Sequence, residues 1–143
     1  MSGYVVDASV AIKWFIPEIH SEAANLVRGA RHRLHVPAFL ALELGNVIAK
    51  KIRRAELTRE DGQAILKEWR HLPLQRHADD RLVPAAYELA VDTQQSLYDC
   101  LYLALAEVVD GRMITADRTF YNALSGGSYG QRLLWVEDLA RLT

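Results

Sequence analysis

The chain has 143 residues, half of them hydrophobic, with 17 basic and 18 acidic side chains and a formal net charge of −1. That length suits one domain with a real core, and the near-neutral balance excludes global steering toward nucleic acid or membrane, so polyanion binding would need a local basic patch. Cys100 is the sole cysteine, which excludes an internal disulfide and fits a reducing cytoplasm; no apolar run approaches the roughly 20 residues that cross a bilayer.

In chain order, Tyr4 to Val6 reads as a buried strand and Val10 to Phe15 as a short helix ended near Pro17. Glu22 to Arg31 is helical, with Ala23, Leu26, Val27 and Ala30 on one face. Leu34 to Val36 is a second strand, stopped at Pro37, and a long helix follows from about Ala38 to Arg54. Thr58, with Asp61 three residues on, caps a helix running to about His71. Leu72 to Gln75 is predicted as a third strand, then helices over Leu82 to Thr93 and Leu97 to Val109. Arg112 to Thr115 is a fourth strand and Asp117 to Leu124 a helix. Gly126 to Gly130 reads as a flexible loop, Leu133 to Val136 as an edge strand, and a short helix closes the chain. The N-terminal Met1-Ser2-Gly3-Tyr4 lacks a basic segment leading into an apolar stretch, so no signal peptide is predicted.

With no repeat or linker, this alternation predicts a single α/β domain over residues 1–143. Its central parallel sheet is covered on both faces, and ligands bind beyond the carboxyl ends of the strands. Four acids sit against core-forming sequence: Asp7, Glu43, Asp99 and Asp117. A carboxylate is seldom buried unless paired or coordinating a cation. Asp7 and Asp117 each fit an N-cap equally well, and Ser96-Leu97-Tyr98-Asp99 fits a capping box. Glu43 lacks such an account: its helical neighbours Phe39, Leu40, Asn46 and Val47 carry no charge, and Asn46 is its one polar helper. Asp99 likewise has no basic helical neighbour among Gln95, Ser96, Tyr102 and Leu103. Converging carboxylates repel, and an all-oxygen set selects Mg²⁺ or Mn²⁺. The histidines at 20, 32, 35, 71 and 77 show no zinc spacing.

Four stretches together resemble the PIN-domain ribonucleases, particularly the VapC toxins of type II toxin–antitoxin systems. They are Val5-Val6-Asp7-Ala8-Ser9-Val10-Ala11, Glu43-Leu44-Gly45-Asn46-Val47, the run from Tyr98 through Ala106, and Thr115-Ala116-Asp117-Arg118-Thr119-Phe120. The resemblance implies a three-layer α/β/α fold with four to five parallel strands. It also implies Mg²⁺- or Mn²⁺-dependent hydrolysis of RNA through in-line attack by activated water, leaving 5′-phosphate and 3′-hydroxyl ends. Asp7, Glu43, Asp99 and Asp117 take the positions of the family's acidic site, with Ser9, Asn46 and Thr115 as supporting groups. Some relatives carry a further acid where this chain has Arg118, Thr119 and Phe120, which bears on a second tightly held ion. The implied partners are an RNA substrate, a second copy of the chain, and a VapB-like antitoxin through which alone DNA would be bound.

Lys13 and Arg118 are nearest the acids in sequence and are the expected phosphate contacts. Lys50-Lys51-Ile52-Arg53-Arg54 and Arg31-His32-Arg33 are further basic clusters that also suit helix C-termini. Trp14, Phe15 and Tyr121 are expected either to stack bases or to pack. Two other readings compete: a non-catalytic binding module on the same fold, and a phosphoryl-transfer or receiver-like α/β domain. Against the latter, Asp7-Ala8-Ser9 has no second acid two residues on, and no lysine follows the last strands.

Overall fold

The computed structural model describes residues 3–29 and 33–142. Five parallel strands form one sheet in the order β3-β2-β1-β4-β5: β1 Tyr4–Val6, β2 Leu34–Pro37, β3 Gln75–His77, β4 Arg112–Thr115 and β5 Leu133–Trp135. Helices α1 Ala8–Ala11, α2 Ser21–Gly29, α3 Leu40–Arg53, α4 Arg59–His71, α5 Val83–Thr93, α6 Leu97–Val108 and α7 Arg118–Leu124 connect the strands and flank the sheet. This is the three-layer α/β/α arrangement. β1 lies centrally, pairing Val5 with His35 of β2 and with Met113 of β4. Its chain therefore exits at Asp7 in the middle of the sheet's carboxyl edge, where open α/β sheets hold ligands.

α6 lies against this sheet, touching β1, β2 and β4. Cys100 through Ala106 are all buried, which is why the segment reads as apolar on every side. Leu101, Leu103 and Leu105 each contribute roughly 1.5–3 kcal/mol by leaving water. That burial fixes the helix whose first turn carries Asp99.

Several boundaries differ from the sequence expectation for identifiable reasons. The first helix begins at Ala8, because Asp7 caps it, and tightens into a 3-10 turn over Ile12–Trp14. In α2 the buried stripe is Ala24 and Val27, whereas Leu26 is exposed. The small Ala24 lets α2 approach closely enough for its carbonyl to accept the Trp14 indole N–H at 2.8 Å. Residues Ala30 and Arg31, expected in this helix, lie outside the described residues.

The third strand is Gln75–His77, not Leu72 to Gln75. The Arg76 guanidinium binds the carbonyls of Trp69, Leu72 and Leu74, which keeps that segment in a turn. As an edge strand, Gln75–His77 stays polar and escaped the apolar pattern. His77 meets His35 across the strands with ring nitrogens 2.9 Å apart. Burial, and for His35 the neighbouring His77 and Arg33 charges, lower both imidazoles from their usual value.

Gly126 to Gly130 is a succession of hydrogen-bonded turns leading into a 3-10 turn over Gly130–Arg132. A Cβ at Gly130 would stand 2.1 Å from the Ser125 carbonyl oxygen, so the turn closes only with glycine there. The final strand ends at Trp135, and the closing helix is a 3-10 segment, Val136–Leu142. The Thr58–Asp61 capping box forms as expected. Among the described residues, no helix is long and apolar enough to cross a membrane.

Candidate active site

Asp7 is 6% exposed and uses both oxygens. Oδ1 accepts from the Val10 N–H at 3.1 Å and the Ser9 hydroxyl at 2.5 Å, and Oδ2 accepts from the Thr115 hydroxyl at 2.6 Å. Each hydroxyl also accepts. Ser9 Oγ takes the Ala116 N–H at 2.9 Å, and Thr115 Oγ1 takes the Asp117 N–H at 3.0 Å. Ser9 and Thr115 thus tie the loop after β4 to the carboxylate that follows β1. Burial nonetheless pushes Asp7 up to about 6, with the three hydrogen bonds opposing and repulsion from Asp117 adding to the rise.

Asp117 caps α7, its Oδ1 accepting the Phe120 N–H at 3.1 Å. Asp7 and Asp117 therefore both act as helix N-caps, as the sequence allowed. Asp99 stands in the first turn of α6 and donates its backbone N–H to the N-cap Ser96 Oγ at 3.1 Å. Its carboxyl is raised by burial, against a Ser96 hydrogen bond and with Asp117 repulsion. Glu43, in the first turn of α3, accepts a short hydrogen bond from the Tyr102 hydroxyl. Burial raises it, the Tyr102 bond lowers it, and Asp99 raises it again. Electrostatic coupling thus runs from Asp7 through Asp117 and Asp99 to Glu43.

Asn46, expected as the helper of Glu43, is exposed; Tyr102 supplies the hydrogen bond instead. Tyr102 is the Glu43 partner that sequence reasoning passed over. The available signal was a lone phenol within Cys100 to Ala106, since a buried tyrosine hydroxyl requires a partner. Removing that hydroxyl in Tyr102→Phe is expected to raise the Glu43 pKa further. The acid limb of the pH–kcat/KM profile should then move upward. An unshifted profile would show that the phenol does not tune Glu43.

The two expected phosphate contacts are engaged elsewhere. Lys13 is buried and pairs with Glu18 at 3.1 Å. Arg118 is exposed, and its guanidinium lies 3.7 Å from the centre of the Trp135 ring. Trp14 is core, Phe15 is partly buried against that core, and Tyr121 packs on Trp135. At the end of α3, Lys51 pairs with Glu56 and Glu18, whereas Lys50, Arg53 and Arg54 are exposed. Arg33 is exposed; Arg31 and His32 lie outside the described residues.

Among the described residues, no three His, Cys, Asp or Glu side chains stand close enough together to hold one ion. The expectation that all four acids lie within reach of a single cation is therefore not met in this arrangement. The physical reason is visible: Asp7 and Asp117 are drawn to their helix N-termini, and Glu43 to Tyr102. In kind, however, the donor set fits a hard cation. It is all carboxylate oxygen, three members are raised by burial and mutual repulsion, and no ion pair neutralises any of the four among the described residues.

The family model described as PIN domain matches residues 4–123. The chain is 33% identical over 116 residues to Ribonuclease VapC3 of Pyrobaculum aerophilum, covering 80% of this chain and 88% of that one. The crystal structure of PAE2754 from the same organism superposes with a TM-score of 0.72 at 24% identity, covering 99% of this chain and 89% of that one. A toxin–antitoxin complex from Klebsiella pneumoniae superposes with a TM-score of 0.59 at 12% identity, covering 87% of this chain and 95% of that one.

Proposed function

We propose, from the premise that this chain belongs to the PIN-domain family and within it to the VapC group, that it is a divalent-metal-dependent endoribonuclease acting as the toxin of a toxin–antitoxin pair. The carrying observation is the run of mutually repelling carboxylates, Asp7, Asp117, Asp99 and Glu43, at the carboxyl edge of the sheet, with no ion pair to any of them among the described residues. These four residues would hold Mg²⁺ or Mn²⁺. When bound, the ion supplies charge neutralisation on the phosphate and a more acidic water as nucleophile.

The chain's own residues do the rest. Ser9 and Thr115 fix the Asp7 carboxylate, one hydroxyl on each oxygen. Tyr102 holds Glu43 and favours its ionised form. A carboxylate whose pKa is raised by burial is suited to accept a proton from attacking water, and Glu43 and Asp99, both raised in that way, are the candidates for this role. Whole-chain activity as a single PIN domain, 1–143, in a reducing cytoplasm fits the buried lone thiol of Cys100. The Klebsiella pneumoniae complex supports an antitoxin partner, and the family supports a homodimer.

The deciding assay compares the protein with an Asp7→Asn, Asp99→Asn variant on structured RNA, with Mg²⁺ or Mn²⁺ and with EDTA. Cleavage is expected only in the unaltered protein with ion present, leaving 5′-phosphate ends. Equal cleavage by both proteins would sink the proposal. A non-catalytic binding module on the same fold is the second reading. Calorimetric Mn²⁺ binding without cleavage of total cellular RNA would select that reading.

A further inference from the structure

The rim beside Glu43 and Asp99 carries an aromatic pair that the acids do not explain. Phe39 immediately precedes α3 and lies four residues before Glu43, on the same face. Its backbone N–H is held by Asp79 Oδ1 at 3.0 Å, and its ring packs against the core. Tyr98 lies in the first turn of α6, immediately before Asp99. The two rings stack, with centroids 5.0 Å apart and planes 14° from parallel. Tyr98 is 58% exposed, so one face of its ring rests on Phe39 while much of the side chain meets solvent.

A single exposed tyrosine is ordinary. This one is held flat by a ring that is itself fixed, on the same helix ends that carry two of the acids. We propose that Tyr98, backed by Phe39, is the stacking shelf for an unpaired nucleobase next to the scissile phosphate. Single-stranded or splayed RNA is then the substrate class. The inference rests on the ribonuclease reading above.

The electrostatics give the shelf a purpose. Four carboxylates repel a polyanion, Lys13 is paired with Glu18, and Arg118 lies against Trp135. Attraction from an uncharged contact is therefore valuable here. Stacking on an aromatic ring supplies it whatever the base, because every base has a π face. In RNA such faces are available where bases are unstacked in loops and single strands. Phe39 is a positioning residue in this scheme, and Tyr98 is the residue that touches substrate.

The test uses the full chain and a short single-stranded RNA of randomised sequence carrying 2-aminopurine. Cleavage is measured in Mn²⁺, and binding by fluorescence quenching in Ca²⁺. Tyr98→Ala is expected to raise KM about tenfold and to abolish the quenching, with kcat within about twofold because the contact is uniform binding. Tyr98→Phe keeps the ring and should retain both. Unchanged KM and quenching in Tyr98→Ala would overturn the shelf. That failure is distinguishable from failure of the ribonuclease reading, since cleavage by the unaltered protein and its loss in the Asp7→Asn, Asp99→Asn variant are read in the same assay. A fall in sedimentation mass for Tyr98→Ala would assign the ring to a contact between copies and overturn it as well.

Discussion

Asp7→Asn is expected to lower RNA cleavage by at least about a hundredfold while raising thermal stability in the absence of divalent ions. On the proposed function, the loss of activity follows from removing a charge that would hold the ion, an effect of several kcal/mol. The gain in stability follows from the direction of the Asp7 shift. Burial lifts its pKa from 3.8 to about 6 in the folded protein. The folded state therefore binds the proton more tightly than the unfolded chain. That stabilisation is complete below about pH 4 and is lost as pH rises through 6, leaving an ionised buried carboxylate that costs up to about 3 kcal/mol.

The amide of Asn carries no charge, so that cost disappears. Part of the gain is returned because Asn offers one acceptor where Asp7 satisfies two hydroxyls and an amide. A net gain of about 1–2 kcal/mol, or several degrees, is expected at about pH 8 in EDTA, vanishing near pH 4. Mn²⁺ should raise the melting temperature of the unaltered protein and not of the variant. A variant that melts lower at about pH 8 would show that burial of Asp7 is not a cost.

Thr115→Val carries the second large effect, since one hydroxyl serves two acids. It donates to Asp7 Oδ2 and accepts the Asp117 N–H, and the residue is fully buried. Valine matches the shape but leaves the Asp117 amide without its acceptor and Asp7 Oδ2 without its donor. A stability loss of roughly 1.5–3 kcal/mol is expected, the usual range for a hydrogen bond to a charged group. Activity should fall roughly tenfold to a hundredfold through misorientation of Asp7, whereas Thr115→Ser retains most of both. Ser9→Ala removes the other hydroxyl donor, and combining it with Thr115→Val should be non-additive because both hold one carboxylate. Urea unfolding together with kcat/KM across the set tests this. Equal behaviour of the Val and Ser variants would show that the hydroxyl is idle.

Much of this arrangement was legible because it rests on local signals. The capping geometry of Asp7, Asp117 and Thr58 is set within four residues, and the apolar runs of β1, β2, β4 and α6 follow from burial. Glu43 stood out for having no local partner, and its partner proved to be distant, Tyr102 across 59 positions of sequence. Pairings of that kind carry no period to read. The edge strand Gln75–His77 was placed too early for a related reason: its edge position removes the apolar alternation that marks a strand. The engagement of Lys13 with Glu18 and of Arg118 with Trp135 was likewise invisible. Proximity in sequence to the acids says nothing of where a long flexible cation settles.

Arg118 follows Asp117 directly, yet its charge is spent on the face of Trp135. Among the described residues, no cationic side chain pairs with any of the four acids. On the proposed function, a metal ion and a guanidinium of another polypeptide would then compete for these same carboxylates. Activation and inhibition then become two outcomes of one exchange. The apparent affinity of any inhibitor that inserts an arginine there should weaken as the divalent ion concentration rises.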